Sequence, residues 1–207
     1  MKAWFFIFVM AMGPVGASAQ AYQRQEQQVS RSVDLERDLT SYSLSDRQLT
    51  AFGRRGEQKL QDFYDLMGYQ ANAQYSTMNS VSDTRQRTTD LFLDSTVTVA
   101  PLFEAGLPLP LVVFLDSVES TYSAVEIQLD SMAWVQPLVP SLDGLYQGRL
   151  EYVLVARGYQ IGEAVTEHTG IQQAEVYLQQ VEKSFGRRGS NLVWEVKLGS
   201  IRWAEGE

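Results

Sequence analysis

From Leu49 onward the apolar positions follow helical spacing first and strand spacing later. Leu60, Phe63, Tyr64 and Met67 stand at i, i+3, i+4 and i+7, which puts them on one helical face. The spacing predicts a helix over Leu49–Tyr69, opened by Ser45 or Asp46 and closed by Gly68 as a C-terminal cap. Gly53 and Gly56 each weaken a helix interior by about 1 kcal/mol relative to Ala, so its firm part is expected from Glu57. A second helix is expected over Thr77–Leu93, with Ser76 as its cap. Its stripe of Met78, Val81, Arg85, Thr88 and Phe92 is half polar, which suits a helix near the surface. Ser95–Ala100 alternates and is β-branched, the pattern of a short strand. After the Pro/Gly-rich stretch Pro101–Pro110, a third helix carries Leu111, Phe114, Leu115 and Val118 on one face and ends near Thr121.

Beyond Thr121 the period becomes two. Val125, Ile127 and Leu129 share a phase, whereas Met132 and Trp134 take the other, so a bulge is expected near Asp130-Ser131. Pro137–Gly144 reads as a turn. Tyr146, Leu150, Tyr152, Leu154 and Ala156 form one face of the next strand, which ends near Gly158. Gln160–Gly170 reads as a polar loop holding His168, and a third long strand opens at Ala174, Val176 and Leu178. Residues 186–191 read as a hairpin loop. The last strand places Leu192, Trp194, Val196 and Leu198 on one phase and Ile201 and Trp203 on the other, with a bulge at Gly199. Helices with unpartnered apolar stripes, followed by strands with one face to cover, predict an α+β fold. Three helices pack on one face of a curved antiparallel sheet.

Composition narrows the chemistry. The 207 residues hold no Cys and one His, which excludes thiolate and multi-histidine metal sites, disulfides and a cysteine nucleophile. A formal charge of -8 argues against binding a nucleic acid backbone. Residues 1–19 read as a signal peptide: Lys2, an apolar run from Ala3 to Met12, Gly13-Pro14, and the small-x-small Ala17-Ser18-Ala19 before Gln20. The apolar run falls short of the roughly 20 residues a membrane-spanning helix needs. Residues 20–46 are polar and read as a flexible leader, and 47–207 as the folded domain. The expected location is the periplasm or the medium of a bacterium, since a secreted chain without cysteine fits that setting.

Four stretches carry a family resemblance: KLQDFYDLMGYQAN, TDLFLDSTVTV, PLVVFLDSVESTYSAVEIQLDSM and QQAEVYLQQVEKSFGRRGSNLVWEVKLGSIRWAE. Over Leu49–Glu205 the chain resembles the nuclear transport factor 2-like (cystatin-like α+β cone) superfamily. It looks most like exported, uncharacterised members from Bacteroidetes-type bacteria. The resemblance lies in element order and apolar placement, so it implies the cone and not a reaction. It also implies pairing of two copies through the outer sheet face. Here that means a homodimer over the last two strands: Trp194 and Trp203 sit on opposite phases unless the Gly199 bulge rotates them together, and an aromatic on the phase away from the helices is exposed.

Active members of that superfamily work inside the cone with an Asp or His base and a Tyr or acid on its wall. The residues of those types here are Asp94, Tyr64, Glu126 and His168, with Glu167 beside the imidazole. None sits in a catalytic motif. Asp94 reads as a turn residue, Tyr64 as a core ring, Glu126 as an outward position and His168 as a solvated loop residue. The basic pairs Arg54-Arg55 and Arg187-Arg188 read as solubilising charges. No catalytic, cofactor or metal residues are therefore assigned, and no cofactor. The function expected is an exported, non-catalytic module that binds a protein or small ligand through its cone or sheet face. The alternative is an isomerase- or hydrolase-like enzyme using Asp94 or Glu126 in an open cone.

Overall fold

A computed structural model describes residues 44–72, 78–103, 106–160, 165–184 and 190–204. The expected signal peptide, all but the end of the leader, and residues 186–189 of the expected 186–191 hairpin loop lie outside these residues. So do Ser76 and Thr77. Helix α1 spans Asp46–Ala71, α2 Met78–Asp90 and α3 Leu111–Thr121. Six strands complete the compact unit: β1 Thr98–Val99, β2 Leu109–Pro110, β3 Ala124–Pro140, β4 Tyr146–Tyr159, β5 Thr166–Ser184 and β6 Ser190–Trp203.

The strands form one sheet in the order β2-β1-β6-β5-β4-β3. Strands β3 to β6 pair antiparallel, as expected, but β1 lies parallel to β6, with Val99 opposite Ile201, so the sheet is mixed. The chain segment after α2 follows the same line, with Phe92 bridging Leu198 in parallel. Short segments arriving from a helix take the one open edge of β6, and their direction follows from where the helix ends.

The helices cover one face. Leu60, Phe63, Tyr64 and Met67 of α1 and Leu111, Phe114, Leu115 and Val118 of α3 are buried. They meet Leu150, Tyr152 and Leu154 of β4, Ala174, Val176 and Leu178 of β5, and Val196, Leu198 and Ile201 of β6, which are also buried. Phe63 is the aromatic hub, edge-on to Phe92 at 5.0 Å and tilted against Phe114 at 6.3 Å.

Both expected bulges are present. The β3–β4 register shifts between Asp130 and Ala133, and Ser131 takes a left-handed φ of 49°. In the β5–β6 pair, Ala174 faces Ile201 and Val176 faces Leu198, so β6 has one extra residue at Gly199-Ser200. That residue restores the phase. Trp194 is opposite Gln180, and Trp203 is opposite the buried Gln172, so both indoles lie on the helix-covered side. Of the two expected arrangements, the Gly199 bulge rotates the tryptophans together, and neither faces outward.

Helix α1 departs from its expected ends. It starts at Asp46, where Gln48 Oε1 accepts the Ser45 N–H at 2.9 Å and the Ser45 hydroxyl at 2.8 Å. It continues through Gly68 to an Asn72 cap, so Gly68 is an interior helix residue, not a cap. A Cβ there would stand 3.3 Å from the Val125 carbonyl oxygen, a close approach that glycine makes easy. The other correction concerns β5, which begins at Thr166 and not at Ala174. His168 is therefore a strand residue opposite Ala156, not a loop residue.

Candidate functional site

The centre of the fold is polar at one point. Tyr64 comes from α1, Tyr152 from β4 and Gln172 from β5, and all three are buried. The two phenol oxygens stand 2.8 Å apart. Gln172 Oε1 lies within reach of both hydroxyls, at 2.8 Å from Tyr64 and 3.0 Å from Tyr152. Two phenolic protons thus serve three contacts, and Gln172 Nε2 is left without a partner. Burial pushes both phenols well above their ordinary pKa. At neutral pH they are neutral donors already engaged with one acceptor, and among the described residues no carboxylate or imidazole joins them. The cluster orients side chains, and among the described residues it holds no group that is a base at neutral pH.

An apolar cleft opens elsewhere, at the start of α1. Its volume is about 580 Å3, within the usual range for ligand sites. Leu49, Thr50 and Arg54 form one wall, Pro137 and Leu138 the other, and Trp134 the floor. The indole is seated by glycines. A Cβ at Gly53 would stand 3.5 Å from the ring, one at Gly56 3.4 Å, and one at Gly148 only 2.7 Å. The indole N–H donates to Glu57 Oε1 at 2.8 Å. The phase change at Asp130-Ser131 aims Trp134 inward, opposite Leu150. The two glycines that weaken α1 in isolation are therefore the ones that admit the ring.

The four residues singled out from the sequence are not brought together. Tyr64 is in the core, as read. Asp94 is an exposed turn residue whose Oδ1 accepts the Thr96 N–H at 2.7 Å and the Thr96 hydroxyl at 2.6 Å. Those bonds hold its carboxyl below the ordinary value and make it a weaker base. Glu126 is exposed and accepts the Tyr159 hydroxyl at 3.0 Å. His168 stacks edge-on against Trp203 at 4.9 Å, while Glu167 pairs with Arg157 at 3.3 Å. Of the basic pairs, Arg54 lines the Trp134 cleft and Arg55 lies over the Phe52 ring at 5.4 Å. Arg187-Arg188 lies outside the described residues. Among the described residues no group of three or more His, Asp or Glu could hold a metal ion. No described helix is long and apolar enough to cross a membrane.

Sequence reading missed Gln172, Tyr152 as a polar partner, and Glu57 with Trp134. Gln172 had a usable signal. It lies two residues before Ala174, on the inward phase, where a polar side chain needs a partner. Starting the strand at Ala174 hid it.

No family model matches the chain, and no curated protein matches it. Among solved structures it is similar to one described as "Putative Scytalone Dehydratase" from Novosphingobium aromaticivorans DSM 12444. The identity is 10%, the match covers 78% of this chain and 93% of that chain, and the TM-score is 0.37.

Proposed function

We propose that this chain is an exported, non-catalytic binding module of the nuclear transport factor 2-like kind. It holds a small apolar ligand, or an apolar side chain of a partner protein, in the Trp134 cleft. The observation that carries this reading is the contrast between the two sites. At the cone centre Tyr64, Tyr152 and Gln172 are buried and bonded to one another through the Gln172 amide oxygen, whereas the cleft at the rim is open and apolar. An enzyme using Asp94 or Glu126 needs those carboxylates in an open cone, and both are exposed on the surface. Export is supported by the pattern of residues 1–19.

Titration with 8-anilinonaphthalene-1-sulfonate tests the cleft. One saturable site is expected, weakened about tenfold by Leu49→Asp, which is equivalent to about 1.4 kcal/mol. Undiminished binding by the variant would remove the cleft from the proposal. Mass spectrometry of the exported fraction tests the address: a mature N-terminus near Gln20 is expected, and an intact Met1 in a membrane fraction would overturn export.

A further inference from the structure

A second cavity, of about 610 Å3, lies where α1 faces the end of α2 and the middle of β6. Its lining is charged with both signs, and its members differ in how they are occupied. Lys197 is nearly buried, with 16% of its side chain exposed. It donates to the Asp90 carbonyl oxygen at 2.6 Å and pairs with Glu195 at 3.6 Å. Glu195 also draws Lys183 from β5, at 3.7 Å. Asp62 and Asp65 of α1 accept side-chain amides of Gln58 and Gln61, and Asp90 of α2 accepts that of Gln86. Lys59 and Arg87 are the charged members left without a bond among the described residues, and of the two Lys59 is the amine. It is half-buried in the cavity wall, and among the described residues it makes no hydrogen bond or ion pair.

We propose that Lys59 is a nucleophilic amine that captures small aldehydes and ketones as imines in this cavity. An ammonium that is half-buried without a partner loses hydration and gains no hydrogen bond in return. Such a position shifts the balance toward the neutral amine, which is the nucleophilic form. The groups facing it support the same conclusion. Burial and the Lys197 cation lower its pKa, with a smaller contribution from Lys183, against the opposing pull of Glu195 and Asp62. Arg87 is the other cation that lines the cavity beside Lys59 and Lys197.

The step balances without a co-reactant. The amine nitrogen attacks the carbonyl carbon and forms the N–C bond, and the π pair moves onto oxygen. The two amine protons leave with that oxygen as water, and a C=N bond remains. Nothing is oxidised or reduced. With Lys59 neutral, the lining holds two cations and four carboxylates and disfavours anions, so a small uncharged carbonyl compound is the class that enters without desolvating a charge of its own. Leu66 and Leu91 offer its carbon side an apolar contact.

The chain contains four lysines, Lys2, Lys59, Lys183 and Lys197, so the test carries its own controls. The purified protein is treated near neutral pH with limiting propanal and cyanoborohydride, which fixes any imine as a secondary amine. Peptide mass spectrometry then gives the rate at each lysine. Exposure alone would put Lys183 first, since 49% of its side chain is exposed. The expected result is the reverse, with Lys59 several-fold faster than Lys183 and half-maximal at a lower pH. The lead is expected to vanish in guanidinium chloride, where all lysines share one environment. Equal rates, coincident pH profiles or a lead that survives unfolding would each overturn the proposal.

Discussion

Tyr64, Tyr152 and Gln172 are coupled because one amide oxygen serves two phenols. Removing either hydroxyl leaves the other bonded to Gln172. Tyr64→Phe or Tyr152→Phe is therefore expected to cost about 1 kcal/mol, the worth of one buried hydrogen bond. Removing both leaves the whole Gln172 amide buried and unpaired. The double variant is expected to exceed the sum of the singles by about 1–3 kcal/mol. Urea unfolding of the four proteins measures that excess, and strict additivity would show that the three groups do not act as a unit. The same residues set an alkaline limit. Their folded pKa values lie above the unfolded value of about 10, and burial also pushes Tyr177 up to about 12. Below pH 10 the full stability is present. Above it the unfolded chain releases phenolic protons that the folded chain retains, so stability falls as pH rises. Melting temperature against pH is expected to decline from about pH 10, less steeply in Tyr152→Phe.

Helix α1 and strand β4 differ in how much room their glycines leave around Trp134. At Gly53 a Cβ would make ordinary contact with the indole at 3.5 Å. Gly53→Ala should then show the gain in helix propensity, a stabilisation of up to about 1 kcal/mol. At Gly148 a Cβ would stand 2.7 Å from the ring and 3.0 Å from the Gln136 carbonyl oxygen, which is backbone and cannot swing away. Gly148→Ala is expected to destabilise by about 1–3 kcal/mol, the range for overpacking. Thermal melts of the pair check the opposite signs. In β6, Gly199 supplies the extra residue of the bulge, and Tyr177 lies directly over it. The bulge was legible from the phase of the apolar residues. Whether it turns Trp203 to the same side as Trp194 stayed open between two arrangements, because the phase after a bulge depends on which partner residue it skips.

On the scale of the whole molecule, pairing of two copies through β5 and β6 remains our proposal for assembly, with a different anchor. Both tryptophans lie on the helix side, so the outer face offers Ile171, which is 49% exposed opposite Val153. Sedimentation velocity at micromolar concentration is expected to show a dimer that Ile171→Asp splits, while a monomeric parent protein would exclude this interface. The leader is a separate question, because its composition offers little apolar surface to bury. Deleting residues 20–43 is expected to leave the melting temperature within about 2 °C of the parent protein, a stability change below 1 kcal/mol. A larger drop would show that the leader packs on the domain.

By itself, the sequence determined whatever depends on spacing along the chain. The stripe Leu60, Phe63, Tyr64 and Met67 declared a helix, and the alternation from Val125 declared strands. The phase breaks at Asp130-Ser131 and Gly199 declared bulges, because periodicity is a local property that packing needs only to accept. What only the tertiary structure decided are matters of meeting. Gly53 and Gly56 looked like defects until Trp134, on a strand far along the chain, filled the space they leave. His168 looked like a loop residue until β4 supplied Ala156 to pair with it. Gln172 and Lys59 differ in what surrounds them, not in what flanks them. One is buried against two phenols from distant elements and the other is left without a partner, and side-chain environment is set by distance in space, which no spacing along the chain records.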